Sequence, residues 1–187
     1  MILLYEHLDN IYRLPEPARS EFGARWRFIE QEKGRHLLRE GVVSDYFYFI
    51  EQGAARIYYH KKDREITEWL ALGPNFFFSI RSFFERTPSH LSIHLLENAQ
   101  LWLLHHDDLM QLSAQYHEVE KLQRRIVTRS LILSQIRMES IQFESAQQRY
   151  QRLITQNPDI VQRVPLAYIA SFLGITQETL SRVRNMR

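Results

Sequence analysis

The segment from Pro165 to Arg187 constrains the fold of this chain most, because its spacing fits two short helices that cross. Pro165 suits the first turn of a helix, and Gly174 can adopt the left-handed conformation that ends one. Thr176 follows at the position where a hydroxyl can accept a hydrogen bond from a free backbone amide at the start of a second helix. Five apolar residues can share one small core, namely Ile169, Leu173, Ile175, Leu180 and Val183. The pattern is typical of a helix-turn-helix.

The exposed face of the second helix carries side chains that can read DNA. Gln177, Glu178, Ser181 and Arg182 share a face opposite the apolar residues, and Gln, Glu and Arg each pair with a particular base edge. We expect Thr176, Thr179 and Arg184 to contact phosphates, which position a protein without specifying sequence. Arg187 adds positive charge at the end of the chain. The pattern predicts DNA binding, and a helical hairpin with a solvated polar face is the alternative.

The sequence pattern of residues 25–105 is typical of an all-β domain. Short apolar or aromatic runs recur every eight to twelve residues, and Gly34, Gly41, Gly53 and Gly73 separate them. The runs are 46–50, 55–59, 66–70, 92–96 and 100–104. We predict an antiparallel, jelly-roll-like β-roll of about eight strands. Residues 1–24 precede it as a short helical lead broken by Pro15 and Pro17.

Residues 107–156 read as helix, because glycine and proline are absent and apolar residues recur every seven positions. Leu112, Val119, Ile126 and Leu133 form this seam. We predict one long helix, a break near 139–142 and a second helix to about 156. A seven-residue seam favours a two-stranded coiled coil between two copies of the chain. The alternative is a helix packed only on its own domain.

The composition excludes several classes of protein. The chain has no cysteine, which removes disulfides, cysteine zinc sites and thiol catalysis, and its net charge of +2 says little about partners. Glu6 and Asp9 interrupt the N-terminal apolar run, so it is not a signal peptide. No stretch is apolar for long enough to span a membrane. We expect a cytoplasmic protein that needs no cofactor.

The histidines raise the possibility of a metal site. His90 and His94 are four residues apart, and His105 and His106 precede two aspartates. A cupin-like β-barrel enzyme holds its metal with imidazoles and a carboxylate, but the His-x-His pair followed by Glu is missing here. Surface histidines and a helix cap are the simpler interpretation. No catalytic triad or phosphate loop stands out, so we do not expect an enzyme.

Three stretches together resemble the Crp/Fnr family of bacterial transcription regulators. Residues 33–41 and 48–57 resemble the opening strands of its cyclic-nucleotide-type β-roll, and residues 173–182 resemble its recognition element. The resemblance implies an α+β fold with a β-roll at 1–106, a dimerisation helix at 107–138 and a helix-turn-helix domain at 139–187. It implies that Gln177, Glu178 and Arg182 face bases.

The same resemblance implies a set of partners. These are double-stranded DNA with an inverted-repeat operator, a second copy of the chain, and an effector that the sequence does not identify. RNA polymerase is a further candidate partner, whereas a membrane is not. A sensor or interaction module that has lost DNA binding remains an alternative.

Two departures from the family pattern matter. Cyclic-nucleotide binders of this type carry Gly-Glu-Leu and, some ten residues later, an arginine that binds the phosphate. Here the corresponding stretches are Phe76–Phe84 and Pro88–Ser92, with neither the Gly-Glu pair nor that arginine. We therefore expect no cAMP binding, but a less charged ligand or a closed pocket. The family's β-hairpin wing has no counterpart before Arg187, so we expect either a helix-turn-helix without a wing or a chain that continues beyond Arg187.

Overall fold

The computed structural model describes residues 1–185, which form two antiparallel sheets and a set of helices before and after them. The strands are β1 (Arg27–Gln31), β2 (His36–Leu38), β3 (Tyr46–Gln52), β4 (Ala54–Lys61), β5 (Arg64–Leu72), β6 (Asn75–Phe77), β7 (Ser92–Leu95) and β8 (Ala99–His105). The helices are α1 (Ile2–Ile11), α2 (Ala18–Ala24), α3 (Ile80–Glu85), α4 (His106–Gln115), α5 (His117–Phe143), α6 (Ala146–Gln156), α7 (Ile160–Arg163), α8 (Leu166–Leu173) and α9 (Gln177–Asn185). Arg187 lies outside the described residues.

The eight strands form a roll of two four-stranded sheets, in the orders β1-β8-β3-β6 and β2-β7-β4-β5. All the strand pairs are antiparallel. Apolar side chains from both sheets, among them Ile50, Ile93 and Leu101, are buried in one shared core. The β-roll predicted from the spacing of apolar runs is confirmed, and the polar run 61–64 forms the β4–β5 hairpin turn.

The N-terminal helices extend the core beyond the sheets. α1 and α2 are separated by the segment containing Pro15 and Pro17, as the sequence predicted. Leu4, Leu8 and Phe22 are buried against residues of β3, α4 and α5. The N-terminal helices therefore belong to a hydrophobic cluster that also contains residues of β3, α4 and α5, which we call the first cluster.

The prediction of one continuous helix from 107 is wrong, because the chain breaks at Tyr116. This residue is extended (φ −124°, ψ 109°) and ends α4 while it begins α5. The second break falls at Glu144 and Ser145 rather than at 139–142. Ser145 and Gln148 form a reciprocal capping box, which satisfies amides at the start of α6 and fixes that boundary.

The seven-residue seam is divided between two environments. Leu112, Val119 and Ile126 are buried in the first cluster together with α1 and α2, so this half packs on its own domain. Leu133 is 40% exposed, and the apolar residues that follow it on α5 are also exposed. Only the second half of the predicted seam is therefore open to a partner, and dimerisation stays a prediction.

The C-terminal helices α6 to α9 share a third cluster. Ile160, Ile169 and Leu180 are at its centre. Ala54 and Leu70 of the β-roll belong to the same cluster, so the C-terminal helices are packed directly on the β4–β5 sheet. The division at 106/107 and 138/139 stays a prediction.

Candidate nucleic-acid interface and effector pocket

α8 and α9 are joined by the tight turn that the sequence indicated. Gly174 is left-handed (φ 67°, ψ 34°), and the amide of Ile175 donates to the carbonyl of Ala170 at 3.0 Å. Pro165 lies one position earlier than predicted, at the N-cap, where its carbonyl accepts from the amide of Ile169 at 3.1 Å. Four of the five predicted core residues are buried and the fifth, Ile175, packs partly buried against them.

α9 presents most of the predicted DNA-binding residues to solvent. The hydroxyl of Thr176 accepts from the amide of Thr179 at 3.2 Å, so Thr176 caps the helix as predicted. Leu180 and Val183 anchor the helix in the core. Thr179 is half-buried, and the other predicted residues are exposed: Thr176, Gln177, Glu178, Ser181, Arg182 and Arg184.

The exposed residues of α9 are not engaged within the protein. Within the described part of the chain, none of Gln177, Glu178, Ser181, Arg182 and Arg184 makes a side-chain hydrogen bond or an ion pair. At 100° per residue, Gln177, Ser181, Glu178 and Arg182 lie within an arc of about 140°. This face therefore offers donors, acceptors and positive charge without breaking internal contacts.

α8 is held on the β-roll by polar contacts to a strand. The hydroxyl of Ser171 accepts from the amide of Thr67 at 2.8 Å. The guanidinium of Arg137 donates to the carbonyl of Phe172 at 2.6 Å and lies over its ring at 4.1 Å. The ring of Trp69 meets that of Phe172 edge-on, with centres 6.1 Å apart. Three elements, β5, α5 and α8, thus meet around Phe172.

Arg56 is a buried cation at the same junction, and no pattern in the sequence indicates this. Its guanidinium donates to Glu65 at 2.5 Å and to the hydroxyl of Thr67 at 2.9 Å. It also lies over the ring of Tyr168 on α8, 3.8 Å from the ring centre. An arginine within an apolar run has the same local signature whether it is buried or solvated, so sequence analysis could not find this contact.

Two serines lie on either side of α3, in the segment that connects β6 to β7. Ser79 and Ser89 are both buried, and their hydroxyl oxygens are 2.9 Å apart. The hydroxyl of Ser89 also donates to the carbonyl of Leu91 and accepts from its amide, each at 2.9 Å. Arg81, nearby in sequence, is exposed and pairs with Glu85 at 2.8 Å. The buried groups of this segment are therefore neutral and mutually hydrogen-bonded.

A pocket of about 450 Å³ lies beside this segment, between α5 and the β-roll. Its walls are largely aromatic and aliphatic, with Glu68 and His90 among its polar residues. Burial raises the pKa of the Glu68 carboxyl, and His90 and Arg137 partly oppose this. Phe77 and Phe78 of this lining are buried, and so is Phe83 of α3.

Comparison with known proteins agrees with this architecture. Residues 28–116 match the sequence profile of the cyclic nucleotide-binding domain. FixK2 from Bradyrhizobium japonicum is 19% identical, with a TM-score of 0.70 over 86% of this chain and 83% of that one. The c-di-GMP-responsive regulator CLP from Xanthomonas campestris is 16% identical, with a TM-score of 0.70 over 91% and 90%. A protein from Eubacterium rectale, assigned to the Crp/Fnr family, is 14% identical, with a TM-score of 0.71 over 92% and 82%.

The chain has the fold of the Crp/Fnr regulators. No curated protein matches its sequence significantly. The Crp/Fnr resemblance predicted from three short stretches is confirmed for the fold, as is the α+β class. Among residues 1–185, no helix is long and apolar enough to cross a membrane.

The histidines of this Crp/Fnr fold lie in separate surroundings. His90 precedes β7 and lines the pocket, whereas His94 lies on β7. His94 stacks on His36, with ring centres 4.7 Å apart. His105 caps α4 by accepting from the amide of Asp107 at 3.2 Å, as predicted. Within residues 1–185, no three His, Cys, Asp or Glu side chains are grouped so that they could hold a metal.

Proposed function

We propose that this protein is a dimeric transcription regulator that binds double-stranded DNA through α9. The observation that carries the proposal is the unengaged polar face of α9, which is held on a buried apolar base by Leu180 and Val183. A helix that begins with exposed Gln177 and Glu178 can place its N-terminal end in a major groove. The Crp/Fnr fold supports this proposal, because the resemblance implies a recognition element at the same residues.

The residues of α9 divide into two roles. Gln177, Glu178 and Arg182 are proposed to read base edges, with Ser181 beside them, because their side chains match adenine, cytosine and guanine respectively. Thr176, Thr179 and Arg184 are proposed to contact phosphates from the ends of the helix. The half-buried position of Thr179 leaves its hydroxyl beside that of Thr176, at 3.1 Å, so the two can act on one phosphate.

Selection of bound sequences from a random DNA pool tests this proposal. We expect an inverted repeat whose half-sites are one helical turn apart. Arg182→Ala should weaken binding by about 1–3 kcal/mol and relax the preference at one position. Arg184→Ala should weaken all sequences alike and lower the salt dependence by about one counterion. Arg64→Ala, on the exposed β4–β5 turn, is the matched control.

Two outcomes would contradict the proposal. Binding and base preference unchanged by Arg182→Ala would remove the assigned role of α9. A folded protein without any salt-sensitive DNA affinity would favour a sensor or interaction module instead.

The proposed dimer uses the open half of α5. Ile132, Ile136 and Phe143 lie within about 40° of one another around this helix, with Leu133 beside them. All four are exposed. A second copy of the same stripe is the occupant we propose, because an apolar seam on a long helix buries itself best against an identical helix. Two copies of α9 would then be about 34 Å apart, one turn of DNA.

Sedimentation velocity tests the dimer. Ile136→Glu should convert a dimer to a monomer, because it places a charge in the apolar seam. Leu131→Glu, at an exposed apolar residue more than 90° around the helix, should leave the dimer intact. A wild-type monomer at tens of micromolar would reject the dimer but not DNA binding by a single chain.

We further propose that cAMP is not the effector. Ser79 and Ser89 are ten residues apart, the separation that the resemblance gives for the Glu and Arg of cyclic-nucleotide binders, and both are buried and neutral. Calorimetry with cAMP should give no saturable heat. We also propose RNA polymerase as a partner of the regulator. A cytoplasmic location is part of the proposal, because a transcription regulator must reach genomic DNA.

A further inference from the structure

The pocket between α5 and the β-roll has the size and lining of a small-molecule site. Its volume of about 450 Å³ falls within the usual range for such sites. Trp69, Phe76 and Phe84 form its aromatic wall, and Ile126 and Leu133 of α5 face them. Flat aromatic walls of this kind favour an aromatic ligand, because rings gain from stacked or edge-on contacts as well as from burial.

A β-bulge aims one carboxylate at this pocket. Ile57 pairs with Trp69, but the next residue of β4, Tyr58, pairs with Thr67, so Glu68 is the extra residue of β5. Bulges re-aim side chains and are over-represented beside functional sites. The side chain of Thr67 does not line the pocket, and its hydroxyl accepts a hydrogen bond from the buried guanidinium of Arg56. Glu68 lines the pocket instead.

The charge in the pocket disfavours an anion. Within residues 1–185, the carboxylate of Glu68 accepts no hydrogen bond and forms no ion pair. Arg81 also lines the pocket but is paired with Glu85, and Arg137 donates to the carbonyls of Phe172 and Thr67. A phosphate or carboxylate would therefore meet Glu68 without a free guanidinium to offset it.

We propose that this pocket binds an aromatic amine, with its rings against Trp69 and the phenylalanines and its ammonium group donating to Glu68. A bound ammonium supplies the partner that this carboxylate lacks, and a charge-assisted hydrogen bond is among the stronger polar contacts. Two fused rings with a one-carbon amine fit within the available volume. The proposal does not depend on DNA binding.

The position of Trp69 links this site to the helix-turn-helix. Its indole lines the pocket and also contacts Phe172 of α8. A ligand that fixes the indole would act directly on the contact that holds α8 to the β-roll.

Three naphthalene probes that share the ring system and differ in the polar group of a one-carbon substituent test the proposal by calorimetry on the full chain. They are 1-naphthylmethylamine, 1-naphthylmethanol and 1-naphthoate, with cAMP as a fourth ligand. We expect the amine to bind at least about 10-fold more tightly than the carboxylate, and the alcohol to fall between them. Glu68→Gln should reduce amine affinity about 10-fold and leave alcohol affinity nearly unchanged. Glu6→Gln, on the exposed face of α1, is the matched control.

Other results would overturn the proposal. Tighter binding of naphthoate or cAMP than of the amine would mean that the pocket selects anions. If Glu6→Gln and Glu68→Gln lowered the affinity for all the probes equally, the binding would be non-specific. If Glu68→Gln does not fold, Ser134→Phe is the second variant, because it fills the pocket from α5. Amine binding that is unchanged by Ser134→Phe would place the site elsewhere.

Discussion

The guanidinium of Arg56 lies 3.8 Å from the centre of the Tyr168 ring. This contact joins β4 of the β-roll to α8, the first helix of the helix-turn-helix. The ring of Tyr58 lies 4.5 Å away from the same group. Arg56 itself is 1% exposed, so these contacts are shielded from water. The pairing is strong because a planar guanidinium stacks on an aromatic face while its edge donates to Glu65 and Thr67.

Arg56→Met should destabilise the protein by about 1–3 kcal/mol, because it removes both cation–π contacts and both hydrogen bonds of the guanidinium while it keeps a side chain of similar length. Urea unfolding followed by tryptophan fluorescence measures this. Arg64→Met, exposed on the adjoining turn, should change stability by less than about 0.5 kcal/mol. Equal effects of the two variants would show that Arg56 does not hold the two parts together.

Gly174 should tolerate asparagine better than alanine. Its φ of +67° is left-handed, and no atom lies within 4 Å of an added Cβ, so the backbone conformation alone sets the cost. Gly174→Ala should lose about 1 kcal/mol in free energy of unfolding, and Gly174→Asn should lose clearly less, because asparagine adopts this conformation more readily. Thermal unfolding of both variants checks the order. A larger loss for asparagine would mean that side-chain crowding decides.

The β-roll and the helix-turn-helix could be predicted because local signals determine them. Apolar runs with glycine turns located the strands, and the Gly174–Thr176 spacing located the turn between α8 and α9. The sequence predicted the positions of the apolar seam on α5 but not its partner, because a seven-residue period shows which residues are apolar on one face and not what covers them. Val119 and Ile126 proved to be covered by the chain itself.

The features that were missed depend on contacts between distant segments. Arg56 is buried because Tyr168, more than a hundred residues later, stacks on it. Glu68 faces the pocket because of a register shift between two strands, and sequence alternation carries no trace of such a shift. The break at Tyr116 lies in a stretch without glycine or proline, so nothing local marked it.

Stability should depend on pH through Glu68. Burial raises the pKa of its carboxyl above the ordinary 4.5, so the folded state holds this proton more tightly than the unfolded state does. The resulting stabilisation is complete below about pH 4.5 and is lost as the pH rises through the higher folded pKa. Glu68→Gln should therefore be more stable than wild type at pH 7.5, and the difference should shrink toward pH 4.5. Urea unfolding across this range measures it, and a difference between the two proteins that does not change with pH would contradict the prediction.

The two buried serines should differ in their contribution to stability. Ser79→Ala removes one hydrogen bond, and the hydroxyl of Ser89 still has both groups of Leu91. Ser89→Ala instead leaves the amide and the carbonyl of Leu91 and the hydroxyl of Ser79 without this partner. Since an unsatisfied buried group costs about 1–3 kcal/mol, we expect Ser89→Ala to cost at least about 1 kcal/mol more than Ser79→Ala. Urea unfolding of both variants at pH 7.5 decides this, and equal losses would mean that water enters the segment and replaces the hydroxyl of Ser89.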